Sequence, residues 1–239
     1  MTKTALITGA SRRLGLTLTK DLLEDGWKVV AFTRKPSKEL SELNCENLDV
    51  HPCLNLDDDS FDEELLKISK QYKHLDLIVH NASIYEKDPH HSNQIGEFYD
   101  SLYKIHMKLP MVINTHFLDL LKNSISNNAN IIHITDIYAE NPNHEYAMYC
   151  STKAALENLS KGYAKKYAPS VRVNCIQPGP IKFLPEHSED DKNNVLNETL
   201  LGYEAGFDPI IKAIKFIVDN PYLTGSSIKV DGGRSIAKK

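Results

Sequence analysis

Short apolar runs alternate with longer stretches of helical periodicity along the whole chain. Residues 4–9 (T-A-L-I-T-G), 29–34, 75–82, 130–136, 171–176 and 227–233 are the apolar runs, and 50–56 is a weaker one. Runs of this kind, rich in Val and Ile, are expected of strands buried on both faces of a parallel sheet. Between them, Leu14, Leu18, Leu22 and Leu23 mark one helix face, and Phe61, Leu65, Leu66 and Ile68 a second. Residues 105–121 form a long apolar-periodic stretch that carries Pro110. Ala154, Leu156 and Leu159 belong to a helix reaching about Tyr167, and Ile210, Ile211, Ile214 and Ile217 define a last one. Strand–helix alternation with right-handed crossovers predicts an α/β fold: a doubly wound parallel sheet of about seven strands with helices on both faces. No linker or repeat divides residues 1–239, so a single domain is expected. Polar residues 185–194 interrupt the pattern and place a loop near 183–200, either a mobile lid over a substrate or an ordinary solvated insertion.

Composition narrows the picture. With 28 Lys plus Arg against 32 Asp plus Glu, the net charge is −4, so no global basic field exists to drive nucleic-acid binding. A hydrophobic share of 41 % and a charged share of 25 % exclude disorder as the main state. No apolar stretch is long enough to span a membrane. The N-terminus lacks the shape of a signal peptide, because a strand pattern starts at Thr4. Cys45, Cys53, Cys150 and Cys175 form no C-x-x-C pair, which points to reduced thiols in a cytoplasmic protein and to no metal site.

The first strand runs into T-G-A-S-R-R-L-G (8–15), followed by a helix. Gly9 permits a sharp turn, Gly15 permits close packing, and the helix N-terminus offers unpaired N–H groups to an anion. Such a turn suits a dinucleotide, with Gly9, Ser11, Arg12, Arg13 and Leu14 as its contacts. Arg13 stands where the common fingerprint has its middle glycine, and by itself the pattern also fits any tight strand–helix turn. The second strand ends in Thr33-Arg34-Lys35. An arginine there can pair with a ribose 2′-phosphate, favouring NADPH; the alternative is a solvated basic loop with Lys38.

Tyr149 and Lys153 are spaced to share one helix face, and Asp136 ends the preceding strand. A phenol near pKa ~10 is a poor proton shuttle. A nearby ammonium is expected to lower that pKa and make Tyr149 a general acid. The alternative is a surface pair. His90-His91 reads as a solvated loop, His133 as a satisfied core histidine and Cys150 as packing; Asp57, Asp58 and Asp59 read as a helix N-terminal region.

T-G-x-x-x-x-x-G (8–15), N-A-S (81–83), Y-x-x-x-K (149–153), N-C-I-Q-P-G (174–179) and T-G-x-x-x-x-V-D-G-G (224–233) together resemble the short-chain dehydrogenase/reductase family, in family order and over essentially the whole chain. The resemblance implies a Rossmann-like domain that binds NADPH and assembles as a homotetramer. It implies Tyr149 as proton donor and Lys153 as ribose ligand. Asn81 would support the adenosine side and Pro178-Gly179 lie near the nicotinamide, with Ala82, Ser83, Thr135 and Ile181 also binding the cofactor. Most of the family has serine where Asp136 stands. A hydroxyl donates to a carbonyl oxygen, whereas a carboxylate accepts only, which suits a substrate carrying N–H groups. Asp136, Arg13 and an aromatic residue soon after N-A-S, here Tyr85, resemble the pteridine reductase branch. H-N-A-S (80–83), I-H-x-x-x-P (105–110) and D-G-G-R (231–234) resemble bacterial members of that branch. The implied activity is reduction of a 7,8-dihydropterin, with weaker reduction of dihydrofolate. Arg13, Ser83, Tyr85, Asp136 and Tyr149 would hold the substrate. Two alternatives stay open: a reductase of a ketone or 3-oxoacyl group, and a non-enzymatic NADP(H)-binding sensor. His106 stands where many members have a tetrad asparagine, and serves either a substitute relay or helix packing. Asn55 stands where many have an adenine-contacting Asp.

Overall fold

A computed structural model describes residues 1–237 apart from 53–55, 57–59, 127 and 185–186. Asn55, Cys53 and the Asp57–59 run lie outside the described residues. The strands are β1 (Thr4–Thr8), β2 (Lys28–Phe32), β3 (Leu48–His51), β4 (Leu77–His80), β5 (Ala129–Ile134), β6 (Val171–Pro178) and β7 (Ser227–Val230). They form one sheet in the order β3-β2-β1-β4-β5-β6-β7, and every pairing is parallel. The sequence reverses direction across the sheet between β1 and β4. That switch point opens a crevice at the carboxyl edge, where ligands bind in such sheets.

The helices are α1 (Arg13–Glu24), α2 (Lys38–Ser41), α3 (Phe61–Ser69), α4 (Ile95–Tyr103), α5 (Leu109–Lys122), α6 (Ala147–Tyr167), α7 (Glu189–Asn197) and α8 (Asp208–Asp219). Alternate strand residues feed two cores. Leu6, Val30, Phe32, Ile78, Ile131 and Val173 pack against α3, α5 and α6. Ala5, Ile7, Val29, Ala31, Val79, Ile132 and Ile176 pack against α1 and α8. The Val- and Ile-rich runs are thus covered on both faces, as their lack of alternation predicts. Leu66 departs from this, being 44 % exposed on the outer side of α3.

Three elements differ from the expected pattern. The third strand begins earlier, at Leu48, and pairs with β2 through His51. The periodic stretch around 105–121 extends back through α4, joined to α5 by a π turn at Lys104–Lys108. Pro110 has no N–H to offer the carbonyl four residues back, and a wider turn resolves that mismatch without ending the rod. The region expected as a loop near 183–200 holds α7. Ser188 caps it by accepting from the Asp191 N–H, and Glu189, Asp190 and Asp191 occupy its first turn. Those acids complement the helix dipole, so the polar run is a helix start, not a continuous loop. No described helix is long and apolar enough to cross a membrane.

Candidate active site

The first βα turn is built from backbone. Gly9 sits at φ +69° and its N–H donates to the Phe32 carbonyl at 2.9 Å. A Cβ on Gly15 would lie 2.2 Å from the Gly9 carbonyl oxygen, and one on Gly9 would lie 2.9 Å from Ala82 Cα. Gly15 therefore serves the turn itself more than helix–sheet packing. Asn81 buttresses it: its Nδ2 donates to the carbonyls of Thr8 (3.1 Å) and Gly9 (3.2 Å). Thr8 Oγ1 accepts from the N–H groups of Asn81 and Ala82. The cap residue of α1, Arg12, makes no side-chain cap bond, and no acid stands in the first turn. The helix start therefore presents its positive dipole end with no acidic side chain on it.

Arg13 takes an unexpected course. Its backbone adopts φ +52°, and its guanidinium donates to the carbonyls of Lys182 (2.5 Å) and Phe183 (3.3 Å) and lies over the Phe207 ring. It ties the phosphate turn to the segment leading into α7. At the end of β2, Ser11 Oγ lies 2.5 Å from Thr33 Oγ1 and donates to the Lys35 carbonyl at 2.6 Å. Arg34 is exposed beside them, and Leu14 is buried.

Asp136, Tyr149 and Lys153 do come together at the ends of β5 and α6. Tyr149 Oη donates to Asp136 Oδ2 at 2.8 Å, while Asp136 Oδ1 accepts from the Tyr138 N–H at 2.9 Å. Lys153 Nζ donates to the Ile134 carbonyl at 2.9 Å and lies 5.6 Å from the Tyr149 ring centroid. All three are largely or fully buried. Desolvation raises the Asp136 pKa, against the opposing pull of its hydrogen bonds, Lys153 and Arg234. Desolvation lowers Lys153 to about 8. The expected depression of Tyr149 does not occur. Burial and the Asp136 carboxylate push its pKa well above that of an ordinary phenol. Burial is the larger cause, and the carboxylate at hydrogen-bond distance adds to it, because a phenolate would repel its own acceptor.

An aromatic wall closes one side. Tyr85 stacks on Tyr146 at 4.4 Å and 6°, and meets the Tyr149 ring edge-on at 4.9 Å. Lys87 pairs with Glu145 at 2.8 Å, and Asp88 Oδ2 accepts from the Met148 N–H, so two loop segments are clasped behind the stack. Ser83 is exposed on the same side and its Oγ lies 2.8 Å from His106 Nε2. Thr135 Oγ1 donates into the sheet, to Ile176. Pro178 ends β6, and a Cβ on Gly179 would lie 2.7 Å from Asp231 Cα. Ile181 is partly buried, its carbonyl accepting from Gly206.

Other histidines are not at the site. His91 pairs with Glu86 and stacks on Phe98. His133 is only half satisfied. It stacks on His80 at 4.9 Å and lies 3.1 Å from Ser160 Oγ, while its Nε2 has no partner. No described cluster of His, Cys, Asp and Glu could hold a metal. Sequence reasoning missed Tyr146, Thr152 and Arg234. Tyr146 and Thr152 belong to no spacing rule. Arg234, which pairs with Glu198 and lies over Tyr138, sits inside the quoted D-G-G-R motif without a role there.

The sheet order, glycine turn and Tyr149/Lys153 placement define an oxidoreductase class: the chain belongs to the short-chain dehydrogenase/reductase family, whose model, described as short chain dehydrogenase, matches residues 3–194. A nicotinamide cofactor goes with that family. More narrowly, the chain is 31 % identical over 235 residues to the dihydromonapterin reductase of Enterobacter sp., covering 97 % of this chain and 96 % of that one. It is 32 % identical to the dihydromonapterin reductase of Klebsiella pneumoniae with the same coverage. Among solved structures, an apo SCOR enzyme from Clostridium thermocellum superposes with a TM-score of 0.85 at 25 % identity, covering 100 % of this chain and 95 % of that one. A short chain dehydrogenase from Leptospira borgpetersenii, crystallised with bound NAD+, reaches 0.87 at 23 % identity, with coverage of 99 % and 94 %.

Proposed function

We propose that this oxidoreductase reduces 7,8-dihydropterins with NADPH, taking dihydromonapterin in preference and dihydrofolate more slowly. The observation that carries the reading is the Tyr149–Asp136 hydrogen bond of 2.8 Å. The Tyr149 proton is committed to a carboxylate, so the pair presents acceptors where a ketone reductase presents donors. A dihydropterin supplies ring N–H and amino donors to such acceptors. The relatives named dihydromonapterin reductase support the same substrate class.

The fit to the cofactor rests on the cradle that a Cβ at Gly9 or Gly15 would fill, and on the uncapped start of α1. Gly9, Ser11, Arg12, Arg13 and Leu14 would hold its pyrophosphate, and Arg34 with Ser11 its 2′-phosphate. Asn81, Ala82, Ser83, Thr135, Pro178, Gly179 and Ile181 would line its remaining length, with Lys153 at the ribose. When bound, a reduced nicotinamide supplies the hydride, here directed to C6 of the pterin. On reduction the Tyr149 hydroxyl would turn from Asp136 and give its proton to N5, while Asp136, whose pKa burial raises, receives the amino edge. Tyr85 stacks on the ring and Arg13 lies beside it. Membership of the family supports self-association, read here as a homotetramer.

The test is NADPH oxidation by the purified protein with 7,8-dihydromonapterin, 7,8-dihydrobiopterin, dihydrofolate and acetoacetyl-CoA side by side. The highest kcat/KM on dihydromonapterin is expected. Turnover of the thioester alone would replace the reading with a 3-oxoacyl reductase, and cofactor binding without any turnover would replace it with a sensor. Asp136→Ser should lose pterin activity, and an active variant would remove Asp136 from the mechanism.

A further inference from the structure

We infer that His106 is a positioning residue that fixes the Ser83 hydroxyl as an obligate hydrogen-bond acceptor toward the ligand, so that the site selects a ring N–H at that point. The assignment follows from counting protons along one buried chain. Thr152 Oγ1 donates its single proton to the Tyr149 carbonyl at 2.8 Å. The same oxygen lies 2.8 Å from His106 Nδ1; with its proton on that carbonyl it accepts there, and Nδ1 carries the ring proton. His106 is 1 % exposed, and burial together with the Lys153 charge lowers its pKa well below that of a free imidazole. A neutral ring protonated on Nδ1 has a bare lone pair on Nε2. The Ile84 N–H, which has no choice of direction, points at that nitrogen at 3.4 Å. The opposite tautomer would set two N–H groups against each other there.

Ser83 Oγ lies 2.8 Å from the same nitrogen, and since an unprotonated Nε2 has no proton to give, the bond between them runs from the hydroxyl. The other protein acceptor within reach is the Ile84 carbonyl at 3.4 Å. In either direction the proton stays within the protein. Ser83 is exposed, and its oxygen offers a ligand lone pairs only. In the same wall, Asp136 offers acceptors as well. Two separate acceptors match a flat heterocycle that carries more than one N–H group. They disfavour a ligand whose only polar feature is a carbonyl. The π turn at Lys104–Lys108 is what brings His106 between Ser83 and Thr152.

The ligand class rests on the pterin reading; the proton assignment does not. Side-chain nitrogen NMR on the ligand-free protein, with His106→Gln to assign the signal, measures the tautomer directly. A neutral ring protonated on Nδ1 is expected, and an Nε2–H ring or an imidazolium at neutral pH would overturn the proposal. Thr152→Val keeps the side chain's shape and removes the acceptor that holds the tautomer. It should raise KM for dihydromonapterin roughly three- to ten-fold with a smaller change in kcat. Ser83→Ala should raise KM comparably in the parent protein and add little in the Thr152→Val background. Equal cost in both backgrounds would overturn the coupling. Acetoacetyl-CoA turnover without dihydropterin turnover would sink the pterin reading, while the spectrum would still decide the tautomer.

Discussion

The half of this crevice proposed for the cofactor and the half proposed for the substrate are made of different material. The turn at 8–15 is backbone held by backbone: two glycines that no side chain can replace, and an asparagine that spends its amide on the carbonyls of Thr8 and Gly9. The facing wall is side chain held by side chain: Tyr85 on Tyr146, Tyr149 on Asp136, Ser83 on His106. The first kind of construction sets a shape and tolerates little; the second sets which protons face the ligand and can be altered one partner at a time.

The largest separation of the halves comes from Tyr149→Phe. It should lower kcat by roughly 10²–10⁴-fold while leaving the NADPH Kd, measured by fluorescence titration, within about two-fold. A variant with near-parental turnover would remove Tyr149 from proton transfer. Next comes the layer beneath the substrate half, where stacked His80 and His133 each keep one unpartnered ring nitrogen. Burial lowers His80 to about 4, and it also lowers His133 well below its ordinary value. In the unfolded chain both bind protons below about pH 6.5. The unfolded state thus holds more protons as pH falls, and stability is lost from pH ~6.5 down to His80's folded value of about 4, by about 3 kcal/mol for His80 alone. Urea melts across that window should show the loss, and the double variant His80→Phe/His133→Phe should flatten the curve; an unchanged slope would mean the pair does not govern acid lability. Gly15→Ala strikes the cofactor half, since its Cβ would sit 2.2 Å from a backbone oxygen. It should cost about 1–3 kcal/mol of stability and weaken NADPH binding more than tenfold, by calorimetry. Unchanged binding would show that the turn can yield. The smallest effect is expected from Tyr146→Ala, which removes the ring behind Tyr85. The stack is worth about 0.5–1.5 kcal/mol, so KM should rise a few-fold at nearly constant kcat.

The same contrast decides what was legible beforehand. Gly9, Gly15, Tyr149 and Lys153 announce themselves through spacing, because turn geometry and helix pitch act along the chain. The parallel strands were legible because burial on both faces leaves Val- and Ile-rich runs. The helix at Glu189–Asn197 was hidden by its charge, although Ser188 and three acids are a helix-start pattern. The direction of the Tyr149 pKa is not legible, because the ammonium four residues away is visible in the sequence, whereas the burial of the phenol and its 2.8 Å contact to Asp136 arise only on folding. Tyr146 and Thr152 acquire their roles only from partners brought in by folding, across separations such as the 46 residues between His106 and Thr152.

Arg13 carries one further consequence. A non-glycine residue at φ +52° costs roughly 1–2 kcal/mol that glycine would not. The guanidinium of this strained residue grips the carbonyls of Lys182 and Phe183. That grip joins the glycine turn to the approach to α7 through a single side chain, so a displacement of either segment is felt by the other.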